Sequence, residues 1–180
     1  MAIIVVGGNG RGAGKTSLIC GLIRAMPEHR WTAVKITSHA HGHSEPVCEE
    51  KIAGQGTDTG RYLEAGAHCA LLVTAHEGTM ASIVQEILVK HAANTHLIFE
   101  SNSVLRYMRP NLCLAVASDL KGARKPSFEM VERCMDATVA LSGHDHIIEG
   151  APIHFHLASL ERISPPMCAW LREQLGDRLP

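Results

Sequence analysis

Residues 3–20 read IIVVGGNGRGAGKTSLIC. Four aliphatic residues, Ile3 to Val6, run into five glycines (Gly7, Gly8, Gly10, Gly12 and Gly14), and Lys15, Thr16 and Ser17 then open an amphipathic stretch. That order predicts a buried strand, a loop and a helix. Glycines let successive backbone N–H groups turn inward on an anion without Cβ clashes, and the helix start adds the positive end of its dipole. The loop is therefore expected to cradle phosphates through Gly8, Asn9, Gly10, Gly12, Ala13, Gly14, Lys15, Thr16 and Ser17. Lys15 would reach the β- and γ-phosphates, and the Thr16 hydroxyl would ligate Mg²⁺. The spacing departs from G-x-x-x-x-G-K-[ST], because the position five before Gly14 is Asn9. Either Asn9 adopts the positive φ of a glycine, which asparagine tolerates better than most residues, or the loop holds one extra residue.

The rest of the composition narrows the class. A length of 180 residues suits one domain, 1–180, with a sizeable core. The net charge of −1 supplies no basic field for nucleic acid or an anionic membrane. No apolar run approaches the eighteen residues of a membrane span, and the first strand leaves no room for a leader, so a cytoplasmic location is expected. Six cysteines without a C-x-x-C suit reduced, mostly buried thiols. With only 4% aromatics, the sheet must be aliphatic, as in parallel sheets covered on both faces.

Strands are expected at 31–37, 68–75, 95–101, 111–117, 137–141 and 153–156 after the first. Helices are expected at 16–26, 57–67 with Thr57 or Asp58 as cap, 80–93, 127–135, and from Ser164, Pro165 and Pro166 to about 175. Residues 38–57 read as a long loop in the place of a switch segment. The alternation predicts a doubly wound α/β fold, a mostly parallel sheet of about seven strands with helices on both faces.

Three stretches resemble the SIMIBI branch of P-loop NTPases, and within it the MobB family of adaptors in molybdopterin-guanine dinucleotide biosynthesis. These are the N-terminal strand, loop and helix; the strand ending near Lys35 with its histidine-bearing loop; and D-T-x-R-x-x-x-A-G-A, written here as Asp58, Thr59, Arg61, Ala65, Gly66 and Ala67. The second half, with FESNSVL before NLCLAVA, is similar to urease- and hydrogenase-accessory GTPases. Where those carry N-K-x-D for guanine, this chain reads Ser142, Gly143, His144, Asp145, so only Asp145 matches and ATP remains an alternative to GTP.

Two carboxylates complete the expected site. Asp58 is either a helix N-cap or, as the resemblance implies, a switch carboxylate near Mg²⁺. Glu100 ends an apolar strand, where doubly wound sheets place ligands and where an unpaired buried charge would be costly. Lys15, Asp58 and Glu100 are the catalytic candidates, and Thr16, Asp58 and Glu100 the Mg²⁺ candidates. His39, His41 and His43 alternate, with Cys48 following, so an extended chain would turn three imidazoles to one side and offer a transition-metal site. The alternative is a polar loop touching substrate or solvent. The resemblance implies Mg²⁺-dependent binding and slow hydrolysis of a nucleoside triphosphate, GTP before ATP, by a homodimeric adaptor in molybdopterin and molybdenum cofactor biosynthesis that serves a client enzyme of cofactor or metal-centre maturation. A nucleotide-switched metallochaperone for nickel or zinc and a non-hydrolysing nucleotide-binding module are the alternatives.

Overall fold

A computed structural model describes residues 1–10, 12–38, 45–91, 93, 95–117, 126–143, 148 and 150–176. Its elements in chain order are β1 (Ile3–Gly8), α1 (Lys15–Ala25), β2 (Trp31–Thr37), β3 (Val47–Glu49), α2 (Asp58–Glu64), β4 (Cys69–Thr74), α3 (Glu77–His91), β5 (His96–Glu100), a 3₁₀ turn (Ser103–Arg106), β6 (Leu112–Val116), α4 (Phe128–Cys134), β7 (Ala137–Leu141), β8 (His154–Leu157) and α5 (Pro165–Leu175). The strands form one eight-stranded sheet in the order β3-β4-β2-β5-β1-β6-β7-β8. Every pairing is parallel except β3 with β4. This is a doubly wound, mostly parallel α/β architecture.

The alternation of each strand sorts its side chains onto two covered faces. Ile4, Val6, Ala33, Ile98 and Leu114 pack with α1, α2 and α5 through Leu18, Ile19, Leu22, Tyr62, Met167 and Leu171. Val5, Val34, Leu97, Phe99 and Cys113 pack on the opposite face with α3, the 3₁₀ turn and α4 through Ile83, Val84, Val104, Phe128 and Val131. Burying each such aliphatic or aromatic side chain contributes roughly 1.5–3 kcal/mol. This explains how a sheet nearly lacking aromatics is held.

The structure corrects four expectations. The sheet has eight strands, not seven, because Val47–Glu49, inside the stretch expected to be a loop, pairs with Leu71–Val73 at the sheet edge. Three residues are too few for a period-two pattern to show. The helix expected from residue 80 starts at Glu77. Ser164 precedes α5 but gives it no side-chain cap, leaving Pro165 at the helix start. Of the six thiols, Cys20, Cys69 and Cys113 are buried, whereas Cys134 is exposed; none is in a disulfide.

Candidate functional site

The site is built by strand register. Glu100 lies beside Lys35 of β2 on one side and beside Val6 of β1 on the other. Laterally paired residues of parallel strands share a face, so the aliphatic rows Ala33, Ile98 and Ile4 continue at the C-terminal ends of the strands as Lys35, Glu100 and Val6. Helix α2 crosses this face and adds Asp58, Arg61 and Tyr62. Gly60 lets the segment before α2 fold closely onto the helix, since a Cβ there would lie 2.8 Å from the Gly54 carbonyl oxygen. The turn before α2 is gathered by Glu50, whose carboxylate accepts from the Thr57 and Thr59 hydroxyls at 2.9 and 3.0 Å.

At the centre, Lys35 Nζ donates to Asp58 Oδ2 at 2.5 Å and to Glu100 Oε1 at 2.9 Å. Glu100 Oε2 accepts from the Thr16 hydroxyl at 2.7 Å and from the Tyr62 hydroxyl. Glu100 is 7% exposed and Tyr62 fully buried. A buried carboxylate needs such partners, and here the donors come from α1, α2 and β2. Arg61 ties α2 to α1, donating to Ser17 Oγ at 2.9 Å and to Glu161 Oε1 at 2.7 Å. Thr57 caps α2 by accepting from the Gly60 N–H at 2.9 Å. Asp58 therefore does not cap the helix; its carboxylate turns to Lys35.

These contacts set the ionisation. Burial alone would lower the Lys35 ammonium, but the Glu100 charge and the hydrogen bonds to Asp58 and Glu100 raise it above the usual lysine value. Burial would raise the Asp58 carboxyl, but hydrogen bonding and charge from Lys35, with Thr16 and Arg61 adding, hold it below the usual range. The Tyr62 phenol is pushed well up by burial and then by the neighbouring Glu100 charge. All three effects favour a neutral phenol and a charged lysine–carboxylate cluster at neutral pH.

The glycine-rich loop stands over this cluster. Every positive φ among the described residues belongs to a glycine, and in this loop they are Gly12 at 75° and Gly14 at 94°. Asn9 thus does not take over a glycine's conformation. Gly14 is the N-cap residue of α1 and brings no side-chain cap, and the first turn of α1 contains no acidic residue. The helix instead opens on Lys15, whose ammonium donates to the Gly10 carbonyl at 2.9 Å. Asn102, just beyond β5, clamps the loop entrance: its Oδ1 accepts from the Gly8 N–H at 2.9 Å and its Nδ2 donates to the Gly8 carbonyl at 3.0 Å.

Loop and cluster open on one cleft of about 760 Å³, lined by Gly8, Gly14, Lys15, Thr16, Lys35, Asp58, Glu100 and Asn102 among others. A second cavity of about 570 Å³ adjoins it and shares Lys35, Asp58 and Arg61 as its wall. The hydroxyl of Thr16 and the carboxylates of Asp58 and Glu100 are hard oxygen donors gathered around Lys35, a donor set that fits Mg²⁺.

Of the residues singled out from the sequence, Lys15, Thr16, Ser17, Asp58 and Glu100 come together here. His39, His41, His43 and Asp145 lie outside the described residues. Cys48 is half-buried on β3 and faces the second cavity. Sequence reasoning missed Lys35, Tyr62 and Asn102 as site residues. A lysine among the apolar residues of a strand was the available signal for the first, and an asparagine directly after the E-S of Glu100 and Ser101 for the last.

Comparison with solved structures places this architecture. The chain is similar to the "apo" form of LpxK from Aquifex aeolicus, a structure in complex with ATP, with 17% identity and a TM-score of 0.57 over 85% of this chain and 53% of LpxK. It thus spans about half the length of LpxK. It is also similar to a MobB protein homolog from Bacillus stearothermophilus (14% identity, TM-score 0.52, 97% of this chain and 98% of that one). Bacillus subtilis MobB matches at 17% identity and a TM-score of 0.50 over 98% and 99%. No protein-family model and no curated protein sequence matches the chain. No helix among the described residues is long and apolar enough to cross a membrane.

Proposed function

We propose that residues 1–180 form a single nucleotide-binding domain that binds a Mg²⁺-nucleoside triphosphate at the loop between β1 and α1 and hydrolyses it slowly. One observation carries this reading: α1 starts on a lysine, with no acidic residue in its first turn and no capping side chain, after two glycines of positive φ, Gly12 and Gly14. Helix N-termini are normally capped by side chains or flanked by acids. The arrangement here suits an anion bound at the start of the helix.

In this reading the loop amides and Lys15 hold and neutralise the β- and γ-phosphates. Thr16, Asp58 and Glu100 would hold Mg²⁺, which when bound supplies charge neutralisation at the phosphate oxygens. Glu100, fixed by Tyr62, orients the attacking water. Both oxygens of Glu100 already accept hydrogen bonds, from Thr16 and Tyr62 on one and Lys35 on the other, which weakens it as a base and supports a low intrinsic rate. Asp145 is proposed to contact guanine, making GTP the preferred nucleotide.

The likeness to two MobB structures over nearly the whole of each chain supports a role as a homodimeric adaptor in molybdenum cofactor maturation, serving a client enzyme. Calorimetric titration with GTP, ATP and their diphosphates in Mg²⁺, followed by a phosphate-release assay, tests the proposal. Binding with GTP tighter than ATP and slow Mg²⁺-dependent release are expected. No binding heat would overturn the reading, and binding without release would leave a non-hydrolysing module.

A further inference from the structure

Lys35 stands where the proposed nucleotide site needs a cation even before a nucleotide arrives. Its ammonium touches Asp58 and Glu100, the same two carboxylates that fit Mg²⁺. Those carboxylates carry two negative charges against Lys35 and one more distant contact, Arg61 Nη1 to Asp58 Oδ1 at 3.8 Å. Arg61 is otherwise committed to Ser17 and Glu161. A divalent cation entering between Asp58 and Glu100 would place like charges beside the Lys35 ammonium, a repulsion that is large where water is excluded.

The lysine is able to leave. Its side chain is 21% exposed, against 8% for that of Glu100, and it lines both the cleft under the loop and the adjoining cavity. A four-carbon stem carrying a compact charge can swing where a guanidinium fork would be held. With a nucleotide bound as proposed above, the anion in reach of Lys35 would be the end of the polyphosphate, since Lys35 lines the same cleft as the loop and Lys15.

Building on the nucleotide reading above, we infer that Lys35 is a resident counter-ion of the Asp58–Glu100 pair that is displaced by a divalent cation and moves to the terminal phosphate of a nucleoside triphosphate. Lys35 is then a second phosphate-binding lysine, and it makes the site discriminate triphosphate from diphosphate. It also keeps the carboxylates satisfied when no metal is bound, so the bare metal binds weakly.

The test uses the whole chain as wild type, Lys35→Met and Lys35→Arg. Lys35→Met keeps the apolar stem without the charge; Lys35→Arg keeps the charge and controls for folding. Mn²⁺ affinity measured by electron paramagnetic resonance without nucleotide is expected to rise about tenfold in Lys35→Met and to stay near wild type in Lys35→Arg. The ratio of Mg-ATP to Mg-ADP affinity, and of Mg-GTP to Mg-GDP, is expected to fall about tenfold in Lys35→Met. In wild type, the Lys35 ammonium signal in ¹⁵N NMR should shift with Mg-triphosphate and not with Mg-diphosphate. Unchanged Mn²⁺ affinity, an unchanged affinity ratio, or a signal indifferent to the triphosphate would overturn the inference while leaving nucleotide binding intact. Absence of nucleotide binding by wild type would instead overturn the reading on which it rests.

Discussion

Strands β2 and β5 lie side by side and are closed differently at their two ends. At the N-terminal end Trp31 is in register with His96; at the C-terminal end Lys35 is in register with Glu100. His96 is buried, lies tilted against Trp31 at 5.4 Å and meets His29 edge-on at 5.2 Å, and its Nδ1 accepts from the Ala2 N–H at 3.0 Å. Burial, with the neighbouring positive charges of His29 and the N-terminus, lowers the His96 imidazole below the usual value, and burial does the same to His29. At the other end burial works against charge as well, but Asp58 and Lys35 pair and stay ionised. One end has become neutral and apolar. The other keeps its charges, and only that end opens on the cleft. The same two strands thus separate packing from binding along their length, in the way doubly wound sheets place ligands at strand C-termini.

The comparison can be broken by substitution. Glu100→Ala removes the acceptor of Thr16, Tyr62 and Lys35, leaving a half-buried cation with one partner fewer, and should cost about 3 kcal/mol of stability in urea denaturation. It should also abolish phosphate release. A stable but inactive Glu100→Ala protein would mean that the C-terminal cluster contributes to chemistry alone. His96→Leu, which orphans the buried Ala2 N–H, should cost about 2 kcal/mol and leave nucleotide affinity unchanged. Altered affinity in that variant would dissolve the distinction between the two ends.

Smaller effects appear in the pH dependence, where the two histidines of one end lose stability toward acid and Lys35 and Tyr62 of the other lose it toward alkali. The folded values of His29 and His96 lie below 6.5, so the unfolded chain takes up protons first and their contribution is lost as pH falls from 6.5 downward. Lys35 and Tyr62 lie above their ordinary values of 10.5 and 10.0. The unfolded chain there releases protons first, and stability is lost as pH rises through that range. Urea midpoints against pH should fall less steeply on the acid side for His96→Leu and on the alkaline side for Tyr62→Phe. Identical slopes in variant and wild type would show that other groups carry the dependence.

The sequence revealed these regions unequally for a physical reason. The loop's chemistry lies within residues 8 to 17, so its glycines, Lys15 and Thr16 could be read from adjacency, and Glu100 from a charge ending an apolar run. The cluster joins residues 65 apart in Lys35 and Glu100, 84 apart in Thr16 and Glu100, and 38 apart in Tyr62 and Glu100. No local period announces such pairings; strand order and register create them. Lys35 therefore read as a landmark of a strand and Tyr62 as one residue of a helical motif. Asp58 stayed open between cap and carboxylate until Thr57 was seen to supply the cap. The strand Val47–Glu49 escaped because its identity comes from its partner β4 and not from its own three residues.

The central claim is that the loop between β1 and α1 binds phosphates through Lys15 at the start of α1. Its most direct test is the affinity of Lys15→Ala for Mg-GTP and Mg-ATP by calorimetry, beside wild type of equal urea stability. The account predicts a loss of at least about 100-fold, near 2.7 kcal/mol. An affinity within about twofold of wild type would contradict it.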